Sequence, residues 1–246
     1  MEAMTTARRA RAIVALDVPT LAEAVAMVDV LGDSCDFVKV GSELFTAAGP
    51  EAVRAMRTRA LDVFLDLKFH DIPNTVATAV EAAARIGVWM VNVHAAGGLR
   101  MMQAARDAAR EGAARSGRPA PLVIAVTVLT SISDTMLAET GVPAPMLDQV
   151  GRLARLARQA GLDGVVASPR ETALIRRECG PDFVIVTPGI RGGSAAAGAR
   201  DDQERTMSAR GAIDAGASYI VVGRPIVEAA DPAEAATRIA SEIAAP

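Results

Sequence analysis

The residues best able to do chemistry lie in the segment FLDLKFHDIPNT, residues 64–75. Asp66 and Lys68 are two residues apart in an apolar run, so on a β-strand their side chains share one face. Asp17 and Lys39 end two earlier apolar runs. Carboxylates and ammonium groups that alternate in one place remain ionised because each is paired with its neighbours. Burying charges of this kind without such pairing would be costly.

Any one of these four residues could instead form an ion pair that only seals the end of a barrel. Ion pairs that only stabilise the fold need not cluster at the carboxyl ends of the strands, however, whereas the functional groups of a barrel enzyme do. The four charges together therefore favour a functional site.

The elements that must position these residues are eight short apolar runs separated by helical stretches. Near-continuous Val, Ile and Leu predict parallel strands buried on both faces, because each crossover lays a helix over the sheet. Eight such units favour a closed barrel over a doubly wound sheet. We therefore predict an α/β fold, a single (β/α)8 TIM barrel of residues 12–246, with a flexible N-terminal tail at residues 1–11. The predicted strands are IVALD (13–17), FVKV (37–40), VFLDLK (63–68), MVNVH (90–94), LVIAVT (122–127), GVVAS (164–168), FVIVT (183–187) and YIVVG (219–223).

Helix boundaries are also marked in the sequence. Thr20 with Glu23 forms a capping-box pattern, and Asp231 before Pro232 places a capping carboxylate ahead of a proline at the first helical position. Glycines stand where helices should end before the next strand. These are Gly32, Gly87, Gly161 and Gly216.

Barrel geometry places function at the carboxyl ends of the strands. The polar residues that end the predicted strands are therefore candidates: Asp17, Lys39, Asp66, Lys68, His94, Thr127, Thr187 and Arg224. One connection, PGIRGGSAAAGARDDQERT at residues 188–206, has the length and Gly/Ala-rich composition of a mobile lid.

Composition excludes several classes of function. The net charge of −3 gives no field that would gather nucleic acid, although a local pocket could still hold one phosphate. Cys35 and Cys179 lack metal-ligand spacing and are interpreted as buried thiols. His70 and His94 show no HxH or HxxxE spacing, so we interpret them as hydrogen-bonded packing groups, not as metal ligands or bases. No apolar stretch reaches the roughly 18 residues needed to cross a bilayer, which predicts no membrane association and a cytoplasmic protein.

The segment FLDLKFHDIPNT resembles the signature D-x-K-x-x-D-I-x-N-T of the orotidine 5′-phosphate decarboxylases. The likeness covers nearly the whole barrel, since further strand ends resemble those of the family in the same order: IVALD, FVKVG, WMVNVHAAGG, AVTVLTS, GLDGVVAS, VTPGIR and VVGRPI. The resemblance implies conversion of orotidine 5′-monophosphate to uridine 5′-monophosphate, the last step of UMP biosynthesis. It also implies that no cofactor or metal is used and that Lys68 donates the proton to the C6 carbanion.

The same resemblance implies roles for the charged residues. Asp17 would contact the ribose hydroxyls, and Lys39 would join Asp66 and Lys68 in a charged network. Asp71 would complete the site of the partner in a homodimer, and Thr75 would accompany it.

The remaining substrate contacts are implied at three loops. Thr130 would meet the pyrimidine edge, with Thr127 as a competing candidate that we expect to line the barrel, and Pro188 would pack near the base. The 5′-phosphate would be held by Arg191, Gln203, Gly223 and Arg224. Barrel geometry supports this last assignment independently, because phosphate is commonly bound at the loops after strands seven and eight. A simple strand-to-helix turn at Gly223 is the alternative, but such a turn has no need of an arginine.

Two other functions fit parts of the pattern. Metal-dependent keto-gulonate-phosphate decarboxylases and hexulose-phosphate synthases have a related D-x-K-x-x-D strand, but here DIPNT follows the second Asp and the lid contains Arg and Gln. A non-catalytic nucleotide-binding regulator would keep the residues that bind the phosphate but would not need the lysines paired with carboxylates. Lys39 and Lys68 are both present, which disfavours the regulator.

Overall fold

The predicted apolar runs form parallel strands that close into a barrel in the order β1-β10-β7-β6-β5-β4-β3-β2. The structure, a computed structural model, describes residues 12–143, 145–191 and 207–244. The barrel strands are β1 (Ala12–Ala15), β2 (Phe37–Gly41), β3 (Asp62–Phe69), β4 (Met90–His94), β5 (Leu122–Val126), β6 (Gly164–Val166), β7 (Val184–Thr187) and β10 (Tyr219–Val222). Two short strands, β8 (Ile190–Arg191) and β9 (Met207–Ser208), pair in parallel as a separate sheet. The predicted (β/α)8 architecture is confirmed, while the predicted tail at residues 1–11 lies outside the described residues.

Helices connect the strands and cover the barrel. They are α1 (Leu21–Leu31), α2 (Ser42–Ala48), α3 (Glu51–Arg57), α4 (Pro73–Arg85), α5 (Gly98–Ser116), α6 (Asp134–Glu139), α7 (Met146–Gln159), α8 (Thr172–Cys179), α9 (Ala209–Asp214), α10 (Arg224–Val227) and α11 (Pro232–Ala244). Short 3₁₀ turns lie at Gly32–Ser34, Ala95–Gly97 and Pro169–Glu171. None of the helices in the described part of the chain is long and apolar enough to cross a membrane.

The predicted helix caps form. Thr20 Oγ1 accepts a hydrogen bond from the Glu23 N–H at 3.2 Å, and Asp231 Oδ1 accepts one from the Glu234 N–H at 2.9 Å. Gly216, just past α9, has a φ of 106°, a left-handed conformation that favours glycine over residues with a side chain.

Strand ends differ from the prediction by one or two residues. The runs were expected to reach Asp17, Thr127 and Ser168, but β1, β5 and β6 end at Ala15, Val126 and Val166. At these points the chain leaves the sheet to begin its crossover, and Ser168 caps the following 3₁₀ turn. The candidate residues Asp17 and Thr127 therefore lie in the first positions of loops, and of these two the side chain of Asp17 is exposed whereas that of Thr127 is buried.

The strands are buried on both faces, as the continuous apolar runs predicted. Ile13 belongs to a cluster inside the barrel, whereas its neighbour Val14 packs in the larger layer between the strands and the helices. The amino-terminal end of the barrel holds an aromatic cluster of Phe37, Trp89 and Tyr219, with ring centroids 4.6 to 5.6 Å apart. This cluster packs the end of the barrel opposite the predicted site.

The two cysteines also take the predicted state. Cys35 and Cys179 are free and buried. Burial raises the pKa of the Cys35 thiol to about 11 and also raises that of Cys179, so both thiols are protonated near neutral pH.

Candidate active site

The carboxyl ends of β1, β2 and β3 bring four charged side chains into one chain of contacts. Lys39 Nζ lies 2.8 Å from Asp17 Oδ1 and 3.7 Å from Asp66 Oδ2. Lys68 Nζ lies 2.7 Å from Asp66 Oδ1. The structure thus places Asp17, Lys39, Asp66 and Lys68 in alternating order at the barrel mouth, as the sequence predicted. We call these four residues the charged network.

The charged network keeps Asp66 ionised although its side chain is only 13% exposed. Burial acts to raise the pKa of Asp66. The charges of Lys39 and Lys68, with hydrogen bonds from Lys68 and Asn92, outweigh burial and lower that pKa below its ordinary value. Lys68 is 36% exposed at its side chain, so its ammonium is both paired and open to the mouth. A carboxylate held between two cations in this way is ready to orient an ammonium group without reorganising.

The strand that carries Asp66 and Lys68 is not regular at these residues. In the pairing of β3 with β4, Leu65 is opposite Val91 and Phe69 is opposite Val93. The three residues 66–68 therefore face a single residue of β4, Asn92. Lys68 has a φ of 51°, a left-handed conformation that costs a residue with a side chain about 1–2 kcal/mol. The prediction of a regular strand through Lys68 is therefore wrong in this detail. A β-bulge re-aims the side chains here, as bulges beside active sites often do.

Asn92, the residue of β4 opposite the bulge, is a site residue that sequence reasoning missed. Its side chain is fully buried. Asn92 Oδ1 accepts a hydrogen bond from the Lys68 N–H at 2.8 Å, and Asn92 Nδ2 donates one to Asp66 Oδ1 at 2.7 Å. The available signal was an uncharged amide inside the apolar run MVNVH, where a buried polar group needs partners.

Gly41, at the end of β2, is a second residue that was missed. A Cβ atom at this position would lie 2.9 Å from Lys39 Nζ and 3.2 Å from Asp17 Oδ1. The absence of a side chain therefore leaves the space in which these two groups pair. Gly223 borders the same mouth, since a Cβ atom there would lie 3.8 Å from Asp17 Oδ2.

The predicted contacts with the base and phosphate lie at neighbouring strand ends. Thr127 is buried and donates a hydrogen bond to the Val166 carbonyl at 3.0 Å, so it lines the barrel as expected. Thr130 is half-buried in the loop after β5, and Pro188 is half-buried directly after β7. Arg224 is exposed and begins α10, next to Gly223.

Two predictions concern a segment that the structure does not describe. Gln203 and residues 192–206 of the lid predicted at residues 188–206 lie outside the described residues. Arg191 ends β8, and its side chain is also outside what the structure describes.

Asp71 and Thr75 lie outside the charged network of their own chain. Both are exposed, on the connection from β3 to α4 and in the first turn of α4. Asp71 Oδ1 accepts a hydrogen bond from the Ile72 N–H at 2.6 Å, and Ile72 itself is 67% exposed. Asp71 and Ile72, together with Gly97, border a shallow depression of about 560 Å³ on the surface.

His70 and His94 pack against each other with ring centroids 5.3 Å apart. Burial lowers the pKa of His94, nearby His70 and Lys68 lower it further, and Asp66 acts in the opposite direction. His94 is therefore neutral near pH 7. The ring contact supports a packing role for the half-buried His94, whereas His70 is exposed, and the hydrogen bonds expected of the two rings stay a prediction. Among the residues that the structure describes, no group of three His, Cys, Asp or Glu side chains could hold a metal ion.

Comparisons with known proteins give matches over nearly the whole chain. Residues 10–239 match the model of the "Orotidine 5'-phosphate decarboxylase / HUMPS family". The chain is 57% identical to an orotidine 5′-phosphate decarboxylase of Moorella thermoacetica, over 94% of this chain and 91% of the relative. It is 51% identical to one of Pelobacter propionicus, over 96% of each. A solved orotidine 5′-phosphate decarboxylase of Lactobacillus acidophilus superposes with a TM-score of 0.83 at 40% identity, covering 95% of this chain and 99% of the other.

Proposed function

The chain belongs to the orotidine 5′-phosphate decarboxylase / HUMPS family, and we propose that it converts orotidine 5′-monophosphate to uridine 5′-monophosphate with Lys68 as the proton donor. This makes it a carboxy-lyase of pyrimidine biosynthesis. The observation that carries the mechanistic part is the Lys68 ammonium at the barrel mouth, 2.7 Å from an Asp66 that Lys39 and Asn92 hold in place.

The reaction needs fixed charge and one proton. The bond between C6 of the pyrimidine and the carboxylate carbon breaks, carbon dioxide leaves, and the electron pair stays on C6. This pair lies in the plane of the ring, so the ring cannot delocalise it well. The Lys68 ammonium offsets the developing negative charge and then transfers a proton to C6, which gives the product and a neutral amine that solvent reprotonates.

The other members of the charged network prepare Lys68 and bind the sugar. Asp66 orients the ammonium group and favours its charged form. Lys39 links Asp66 to Asp17, whose more exposed carboxylate we assign to the ribose hydroxyls. A network already ordered before the substrate arrives does not have to reorganise during the reaction.

The substrate is held at the ends of neighbouring strands. We assign the pyrimidine edge to Thr130 and the face of the base to Pro188, which follow β5 and β7. We assign the 5′-phosphate to Arg191, Gln203, Gly223 and Arg224. The position of Gly223 beside Asp17 supports this assignment, because it puts the end of β10 and the ribose-binding carboxylate in one mouth.

We further propose a homodimer in which Asp71 and Thr75 complete the site of the partner subunit. Support comes from their exposure, and from that of Ile72 between them, beside the mouth. A cytoplasmic location fits the free thiols of Cys35 and Cys179, which a reducing compartment preserves.

The deciding experiment is a spectrophotometric assay with orotidine 5′-monophosphate in the presence of EDTA. We expect full turnover in chelator, because the proposed mechanism uses only side chains. Activity that EDTA removes and a divalent metal restores would favour the metal-dependent sugar-phosphate enzymes instead. A protein that binds the nucleotide without turning it over would be the non-catalytic regulator.

A further inference from the structure

We propose that Asn92 is a positioning residue for the decarboxylation, one that sets the geometry of Asp66 and Lys68 through its side-chain amide. This inference rests on the proposed function. Its starting point is the bulge, where residues 66–68 of β3 face the single residue Asn92 of β4. A regular ladder would fix these residues by backbone hydrogen bonds, but here the side chain of Asn92 takes over that task.

Both ends of the Asn92 carboxamide are used. Its oxygen accepts from the Lys68 backbone N–H at 2.8 Å, and its nitrogen donates to Asp66 Oδ1 at 2.7 Å. The same oxygen of Asp66 receives the Lys68 ammonium at 2.7 Å. The contacts therefore form a closed ring: the Lys68 backbone, Asn92, Asp66 and the Lys68 ammonium. Lys68 is thus held at its backbone N–H by Asn92 and at its ammonium group by Asp66, and the carboxamide of Asn92 connects these two contacts.

The chemistry of the position requires an amide of this length. One short planar group must accept from an N–H and donate to a carboxylate. An ionised aspartate at position 92 could accept, but it could not donate to Asp66 and would repel it. Leucine has the same branching and the same number of side-chain heavy atoms as asparagine but offers neither contact. Because the Asn92 side chain is fully buried, it cannot act by touching the substrate.

The backbone conformation of Lys68 shows why this link bears on catalysis. A φ of 51° at a lysine persists only where the surroundings over-determine it. The β-ladder resumes at Phe69, so among the described residues Asn92 is the group that satisfies the Lys68 N–H. Without the amide, we expect the bulge to relax and the ammonium to move away from the position that Asp66 now fixes.

The first test measures kcat and KM for Asn92→Leu and Asn92→Asp. Asn92→Leu should lower kcat about a hundredfold, the usual effect of displacing a catalytic group by about 1 Å, and should change KM little. Asn92→Asp should recover activity as the pH falls, because a protonated carboxyl at this position can again donate to Asp66. A purely structural role would give no such pH profile. Wild-type kcat in both variants would overturn the inference.

A matched control separates positioning from general loss of a buried hydrogen bond. Thr172, in α8, is also fully buried, and its hydroxyl donates to the Ser168 carbonyl at 3.3 Å. Thr172→Val should leave kcat unchanged even if it lowers stability. The fluorescence of Trp89, the only tryptophan, reports whether each variant keeps the barrel folded. If Asn92→Leu does not fold, the pH profile of Asn92→Asp decides.

A second readout does not depend on turnover. The sequence contains only two lysines, Lys39 and Lys68, so protein labelled with ¹³C-lysine gives two side-chain signals, which a Lys68→Ala spectrum assigns. Asn92→Leu should shift the Lys68 signal much more than the Lys39 signal. An unmoved Lys68 signal would overturn the inference even if the wild type proved inactive on orotidine 5′-monophosphate. That inactivity would refute the proposed function alone.

Discussion

Replacing Lys68 by alanine is the most direct perturbation of the proposed mechanism. The fold should survive it, because Asp66 keeps Lys39 at 3.7 Å and Asn92 at 2.7 Å as partners for its buried charge. Lys68 itself is 36% exposed, so little packing is lost with its side chain. The variant therefore tests chemistry and leaves stability nearly unchanged.

The size of the effect follows from electrostatics. A cation about 4 Å from the developing carbanion, at an effective dielectric near 20, contributes roughly 4 kcal/mol, or about a thousandfold in rate. General acid catalysis by the same group typically adds about 10²- to 10⁴-fold. Because one ammonium supplies both effects, their loss is not a simple product. We expect Lys68→Ala to lower kcat/KM by at least about a thousandfold.

The assay is the spectrophotometric decarboxylation of orotidine 5′-monophosphate in EDTA, with Trp89 fluorescence as the check on folding. Lys68→Arg is the matched variant: it keeps a positive charge but is a far weaker proton donor. If it is as impaired as Lys68→Ala, proton transfer is the dominant role. Retention by Lys68→Ala of more than about a tenth of wild-type kcat/KM, an effect below roughly 1.4 kcal/mol, would refute the assignment.

Three further predictions concern the dimer, the space around the network and pH. Mixing Asp71→Asn with Lys68→Ala subunits should restore activity, since each heterodimer carries one intact site; no rescue after confirmed subunit exchange would argue against a shared site. Gly41→Ala should displace Lys39 and lower kcat/KM about tenfold or more. An unchanged kcat/KM would show that Lys39 and Asp17 make room for the added methyl group without loss of activity. His94 has a lowered pKa in the folded state, so the unfolded chain takes up its proton first. The free energy of unfolding should therefore fall between about pH 7.5 and 5.5, as urea denaturation can measure, and His94→Gln should remove part of that slope.

Much of the architecture could be predicted because it depends on local pattern. Continuous apolar runs with helical stretches between them identify parallel strands, and barrel topology then places Asp17, Lys39, Asp66 and Lys68 at one end. These predictions need only the side-chain period and the rule that strand ends gather. The structure confirms both the barrel and the meeting of the four charges.

The missed features depend on relations between strands. The bulge at residues 66–68 arises from the register of β3 against β4, and no pattern within either strand reveals it. The role of Asn92 follows from that register. Gly41 matters because Lys39 and Asp17 meet where its side chain would be, a fact of three-dimensional packing. The contributions of Asp71, Thr75 and Gln203 remain predictions.

The short pair of strands β8 and β9 has a consequence for how the chain can vary. Ile190 pairs with Met207, and Arg191 pairs with Ser208, so the two ends of the connection at residues 192–206 are held one strand spacing apart, about 4.8 Å. The entropy of closing a loop grows slowly with its length, by about 0.6 kcal/mol for each doubling. Insertions, deletions or replacement of the whole segment between the fixed ends should thus change the free energy of unfolding of the barrel little. The sequence of this connection can therefore vary, in evolution or by design, independently of the strands.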